Sequence, residues 1–460
     1  MRATLADGSV VGRTVMSCSL ALFAAILLTI PPVAAVPSKP LEIHPLAIPD
    51  HANIEGILAL TGSRFAVAYT TPSGGLANLQ VSITDATGNV THVANVTSSF
   101  SPSAGFLPFS WTRFGGGFTV LFQPWIDDGL NRPRQSNQTS LVFFNAAGQE
   151  FERHDLANGL RMTSAALAES NGDLLMAGNV YSPPAQQIPA HPSVFRVHRD
   201  GSWNQLTQFG ESAANPYQDK VGLAVRGRNV VVVWEAAKQT YWARSADAGT
   251  TFAPSAAVPF GFNTQSSWAG LGVSLDAAGA ARFVTMANLS DQGRTADHLH
   301  PMQALLAKVD AEGVLSWRPL NGAVNGSLDP SINNMDAVVA TLADHQSAIA
   351  TLNWPGHGWT GDEVHFFLSP DGGETLDGPF TLAMPAGTLL EDIKGSDSDD
   401  GAIVWAGLER GTDAKAHPIL ILSPAPATPH QSPAMDTAVG VLLLALAILQ
   451  RGRRTSNLNY

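Results

Sequence analysis

The chain has 460 residues, with 26 basic and 38 acidic side chains and a formal net charge of −12. Five of the basic residues and one of the acidic lie near the ends, so residues 36–450 carry 21 and 37, a net of −16. That surface repels phosphate backbones, which excludes nucleic acid as an expected partner.

The N-terminus carries Arg2 and Arg13, then an apolar stretch from Val15 to Ile30, then "PPVAAV". This reads as a secretory signal peptide over 1–35, removed before folding. Cys18, the only cysteine, lies inside it, so the mature chain is expected to have no disulfide, thiol nucleophile or thiolate metal site.

Residues 41–422 contain no long amphipathic helical pattern. Their apolar runs are four to eight residues long, separated by turn residues. Units of the form strand, turn with Asp or Asn before Gly, strand recur, with turn glycines Gly88, Gly148, Gly201, Gly249, Gly313 and Gly373. The spacings are 60, 53, 48, 64 and 60 residues. A second strand pair precedes most of these turns, as in Val221–Val225 and Val230–Glu235 around "RGRN". Four-stranded units at this period are the signature of a β-propeller.

Six units end in these turns, and a seventh begins at Leu390 but lacks its last strand. "LEIHPL" (41–46) resembles the outer strand "LSWRPL" (315–320), so the N-terminal segment is expected to complete blade seven. The expected fold is all-β: a seven-bladed propeller of four-stranded antiparallel blades over 36–423, its ring closed by the N-terminal strand.

After it comes a Pro-rich linker at 424–434, a transmembrane or sorting helix at 435–450, and a basic cytoplasmic tail at 451–460 with Arg451, Arg453 and Arg454. The uninterrupted apolar run, 438–449, is shorter than the roughly 20 residues of an ordinary span. The short helix plus arginines resembles bacterial C-terminal sorting tags of the PEP-CTERM type, though Pro-Glu-Pro is missing. A plain membrane anchor stays open beside it. Either reading makes the protein exported and attached to the membrane or cell surface by its C-terminus.

In "ARSADAGTTF" (243–252), Ser245, Asp247, Gly249, Thr251 and Phe252 fit S-x-D-x-G-x-T-[FW]. Ser369, Asp371, Gly373 and Thr375 form a second copy, with Leu376 in place of the aromatic residue. The pattern resembles the Asp-box, or bacterial neuraminidase repeat, of the sialidase-like β-propeller superfamily. Gly249 supplies positive φ and Asp247 accepts amide hydrogen bonds, so the motif has a structural role.

In an up-and-down blade the short A–B and C–D turns share one face, and the B–C and D–A connections share the other. The longer connections mark the second face as the ligand face. Its candidate binding residues are Trp125, Asp127, Asp128, Arg132, His191, His298, His300, His357, Trp359, Asp362 and Glu363, with His417 in a further loop. Tryptophans would stack on sugar rings or pack on a protein partner, and carboxylates would accept hydroxyl hydrogen bonds. No cofactor is expected. "DHLH" makes His298 and His300 a weak candidate metal pair, with Asp297 or His357 completing it.

The expected function is recognition of a glycan or a surface or extracellular protein, by a monomer. The alternative is an exo-sialidase-type glycoside hydrolase. The resemblance would then imply an arginine trio, an aspartate acid/base and a tyrosine activated by a glutamate. Of the four propeller tyrosines, Tyr69, Tyr181, Tyr217 and Tyr241, the candidate is Tyr217, with Glu211 or Glu235 and with Arg113, Arg132 and Arg244. The early Phe-Arg-Ile-Pro motif of those enzymes is absent; "FRVH" (195–198) is the nearest match.

Overall fold

A computed structural model describes residues 41–423 except 74–75, 101–108, 124, 128–132, 136–138, 157–160, 182–190, 211–219, 266–269, 289–301, 321–333, 344–345, 354–362, 383–388, 398–402 and 411–414. The signal peptide, linker, C-terminal helix and tail expected from the sequence lie outside the described residues. The described residues belong to one compact unit.

Seven antiparallel sheets of four or five strands follow one another along the chain, with no helix among the described residues. In sequence order the blades cover 53–100, 109–156, 161–208, 221–257, 264–319, 334–381 and 389–423. Blade seven is completed from the N-terminus: Glu42–Pro45 pairs antiparallel with Ala416–Ser423, with Ile43 opposite Ile421. The protein is a seven-bladed β-propeller closed by its N-terminal strand.

Each blade alternates side chains to its two faces, and apolar residues occupy both faces of the middle strands. Seven separate apolar clusters result, one at each seam between neighbouring blades. At the closing seam Ile54, Phe65 and Tyr69 of blade one pack with Val404, Ala406 and Leu420 of blade seven. Inner strands come close enough that side chains are excluded. A Cβ on Gly222 would lie 2.4 Å from Val273 Cγ2 and 2.5 Å from the Leu271 carbonyl oxygen.

Three features depart from the sequence reading. The inner strand of blade five is split: Thr264–Gln265 and Val273–Leu275 both pair with Ala281–Asn288. The B–C connection of blade two contains a ribbon in which Trp125–Asp127 pairs with Pro133–Gln135. Not every B–C connection is long. Blades one and four cross from B to C on two residues, in blade four Ala237 and Lys238, both with positive φ, as a tight hairpin turn requires.

The six turn glycines identified in the sequence all have positive φ, between 78° and 93°. Around Gly249 the Ser245 hydroxyl donates to Asp247 (2.7 Å) and accepts from the Gly249 amide (2.9 Å). Asp247 accepts the Thr251 amide at 2.8 Å and its hydroxyl at 2.7 Å. Ser369, Asp371, Gly373 and Thr375 repeat this pattern. Phe252 packs edge-on to Phe209 in the seam between blades three and four. In the plainer turns Asp85, Asn145 and Asp310 each accept the backbone amides two and four residues on, as Ser245 does in the Asp-box.

Candidate functional site

The two ends of the ring differ. On the short-turn face, five A–B connections are only two or three residues long, and the C–D turns around Asp85, Asn145, Asp247, Asp310 and Asp371 are shaped by local hydrogen bonds. On the other face, sixteen residues separate Phe122 from Thr139, thirteen separate Asn288 from Met302, and twelve separate Gln208 from Val221. This long-loop face is the candidate site, and the strand ends beneath it are its floor.

The floor carries buried polar side chains. The second strand of a blade begins opposite the last residue of the first, at Arg64, Gly117, Asp173 and Asn229 in blades one to four. Six residues on, each reaches the long-loop end with a polar side chain: Thr70, Gln123, Asn179 and Glu235, all at most 1% exposed.

Three of these bond the start of an inner strand. Thr70 donates to Glu55 (3.0 Å) within blade one, and Gln123 accepts the Met162 amide of blade three (3.2 Å). Glu235 accepts the hydroxyls of Thr240 (3.1 Å), Thr264 (3.2 Å) and Thr285 (2.7 Å), so one carboxylate joins blades four and five. A buried carboxylate is tolerated only when donors replace its lost water. These residues pin the bases of the D–A loops.

The sequence reading singled out only Glu235 among these, and for another reason. The available signal was the polar residue ending each apolar run: "TVLFQ", "LLMAGN" and "VVVVWE".

Of the predicted binding residues, Asp128, Arg132, His298, His300, His357, Trp359 and Asp362 lie outside the described residues, as do Tyr217 and Glu211. Trp125 and Asp127 are on the ribbon of blade two, and Glu363 begins the third strand of blade six. His191 begins the third strand of blade three, half-buried at the long-loop end. His417 lies at the same end of blade seven, its Nδ1 3.3 Å from Asp50 Oδ1. Among the described residues no group of three or more His, Cys, Asp or Glu is placed to hold a metal ion.

Several residues weighed for the hydrolase are engaged in holding blades together. Arg113 Nε donates to the Ala59 carbonyl at 2.8 Å, from blade two to blade one. Arg244 donates to the Gly279 carbonyl of blade five, on the short-turn face. Tyr69 is buried in the closing seam, and burial pushes its phenol up from the usual value. Tyr241 stacks on Trp234 and donates to Gln239 at 3.0 Å.

The sequence matches no protein-family model and no curated protein. Solved structures do resemble it. Polysaccharide lyase Uly1 aligns with a TM-score of 0.50 at 10% identity, over 86% of this chain and 94% of that one. A Trypanosoma rangeli sialidase in complex with the inhibitor DANA aligns at 0.43 and 10%, over 85% of this chain and 57% of that one. A Penicillium chrysogenum alpha-L-arabinanase complexed with arabinobiose aligns at 0.43 and 12%, over 69% and 93%. The likeness is one of fold. A propeller hosts many functions, and function must be argued from the site.

Proposed function

We propose that this protein is an exported propeller of the Asp-box type, tethered by its C-terminus, that recognises a glycan or an extracellular protein through its long-loop face. The observation that carries this reading is the difference between the two ends of the ring. Five connections of two or three residues lie at one end, while at the other, connections of up to sixteen residues join strand ends that carry buried polar side chains. Long loops on a rigid scaffold are where binding residues concentrate. Trp125 and Asp127 belong to the ribbon of blade two, and an indole and a carboxylate are the residue types that stack on sugar rings and accept hydrogen bonds from their hydroxyls. Binding needs no arginine trio or tyrosine nucleophile, so the engagement of Arg113, Arg244, Tyr69 and Tyr241 between or within blades is compatible with it.

The purified chain is to be assayed on a fluorogenic sialoside and on a glycan array. Retention on the array without turnover is the expected result, lost when Trp125 is changed to Ala. Turnover abolished by Tyr217→Phe would instead establish the hydrolase.

A further inference from the structure

We infer that the propeller is carried with its long-loop face turned away from the membrane that holds it; this rests on the tethered reading above. The argument begins with strand direction. The third strand of blade seven, Ala416–Ser423, pairs with Ile403–Arg410 so that Ser423 lies opposite Ile403. Ile403 follows an A–B connection, so Ser423 ends on the short-turn face. The closing strand enters beside it, since Glu42 is the partner of Leu422. Partners in an antiparallel pair have Cα atoms about 5 Å apart. The chain therefore enters and leaves the ring at one point, on the face opposite the long loops.

Everything beyond Ser423 is attached there. The eleven residues 424–434, rich in proline, reach roughly 34 Å when extended at about 3.1 Å each. To turn the long-loop face towards the membrane, this linker would have to run back along the outside of blade seven. An eight-residue strand such as Ala416–Ser423 is itself roughly 26 Å long. That path uses most of the linker and leaves little to cross the headgroups. The direct path uses none of it.

The N-terminal side gives the same polarity. Six residues separate the expected cleavage point after Ala35 from Glu42. A leader still in the membrane would thus hold the ring by the same face as the C-terminal helix, and its removal would not reorient the molecule.

The only native cysteine, Cys18, is in the leader, so an introduced cysteine is a unique labelling site after processing. The test uses the processed chain, residues 36–460, in vesicles of phosphatidylcholine and phosphatidylglycerol containing a headgroup-attached quencher. Fluorophores are placed at exposed turns: Thr61→Cys and Ala147→Cys on the short-turn face, and Lys238→Cys on the opposite face. A several-fold stronger loss of fluorescence at the first two than at Lys238→Cys is expected. Equal quenching, or stronger quenching at Lys238→Cys, overturns the orientation while leaving the tether intact. A chain that fails to float with the vesicles overturns the tether itself, and the orientation with it.

Discussion

Asp247 shows how much a single side chain in a turn can do. The Thr251 amide, the Thr251 hydroxyl and the Ser245 hydroxyl lower its pKa to about 2. An unfolded aspartate titrates near ~3.9. The folded value is depressed, so the stabilisation is fully present above the unfolded pKa and is lost as pH falls through the folded one. Asp85 and Asp200 are lowered too, chiefly by the hydroxyls of Thr87 and Ser202. Melting temperatures should therefore fall between about pH 4 and pH 2, and Asp247→Asn should flatten that slope; an unchanged slope in the variant would contradict this assignment.

Glu235 is the opposite case, a carboxylate fully inside. Replacing it with Ala removes an acceptor shared by three hydroxyls, leaving Thr240 and Thr264 bonded to each other, and opens a cavity, which should cost about 2–4 kcal/mol in denaturant unfolding. The aspartate turn was legible because its partners lie within four residues in the sequence. The buried set Thr70, Gln123, Asn179 and Glu235 was not, because four different residue types fill it and most of their partners lie in another strand or blade.

At the scale of strands, the sequence is most readable where an apolar run is bounded by turn residues. The closing strand was found from its likeness to 315–320, although it lies at the far end of the chain from its partner. The split inner strand of blade five was missed because Thr264–Gln265 is two residues long and sits in what reads as a connection. The Trp125–Asp127 ribbon was missed for the same reason.

The closing strand is held partly by a turn. Gly88, at φ +84°, accepts from the Ala47 amide at 3.0 Å, and a Cβ there would lie 2.1 Å from the Pro45 oxygen. Gly88→Ala should lower the melting temperature by combining unfavourable φ with displacement of the strand. Deleting residues 36–48 should lower it further, since Leu46 and Ile48 are also buried. Calorimetry on both variants measures this, and an unchanged transition after the deletion would refute closure.

Over the whole molecule, the seven seams are chemically alike but sterically distinct. Where Gly222 meets the Leu271 carbonyl, no other side chain fits without moving blade five. Gly222→Val should destabilise by about 1–3 kcal/mol through overpacking, while a substitution at exposed Thr61 should be nearly silent; chemical denaturation compares them.

The pairing of Glu42 with Leu422 also fixes an order of events in the life of the chain. Synthesis delivers the amino end first, yet its partner strand is among the last parts of the propeller to be made. Until then residues 42–45 have no sheet to join, and blade seven does not exist. Contacts so distant along the chain form slowly. A ribosome that stops early releases a ring with an open seam and an unpaired strand edge, a form prone to aggregate. The last hydrogen bonds of the closing strand thus report that the whole propeller has been made.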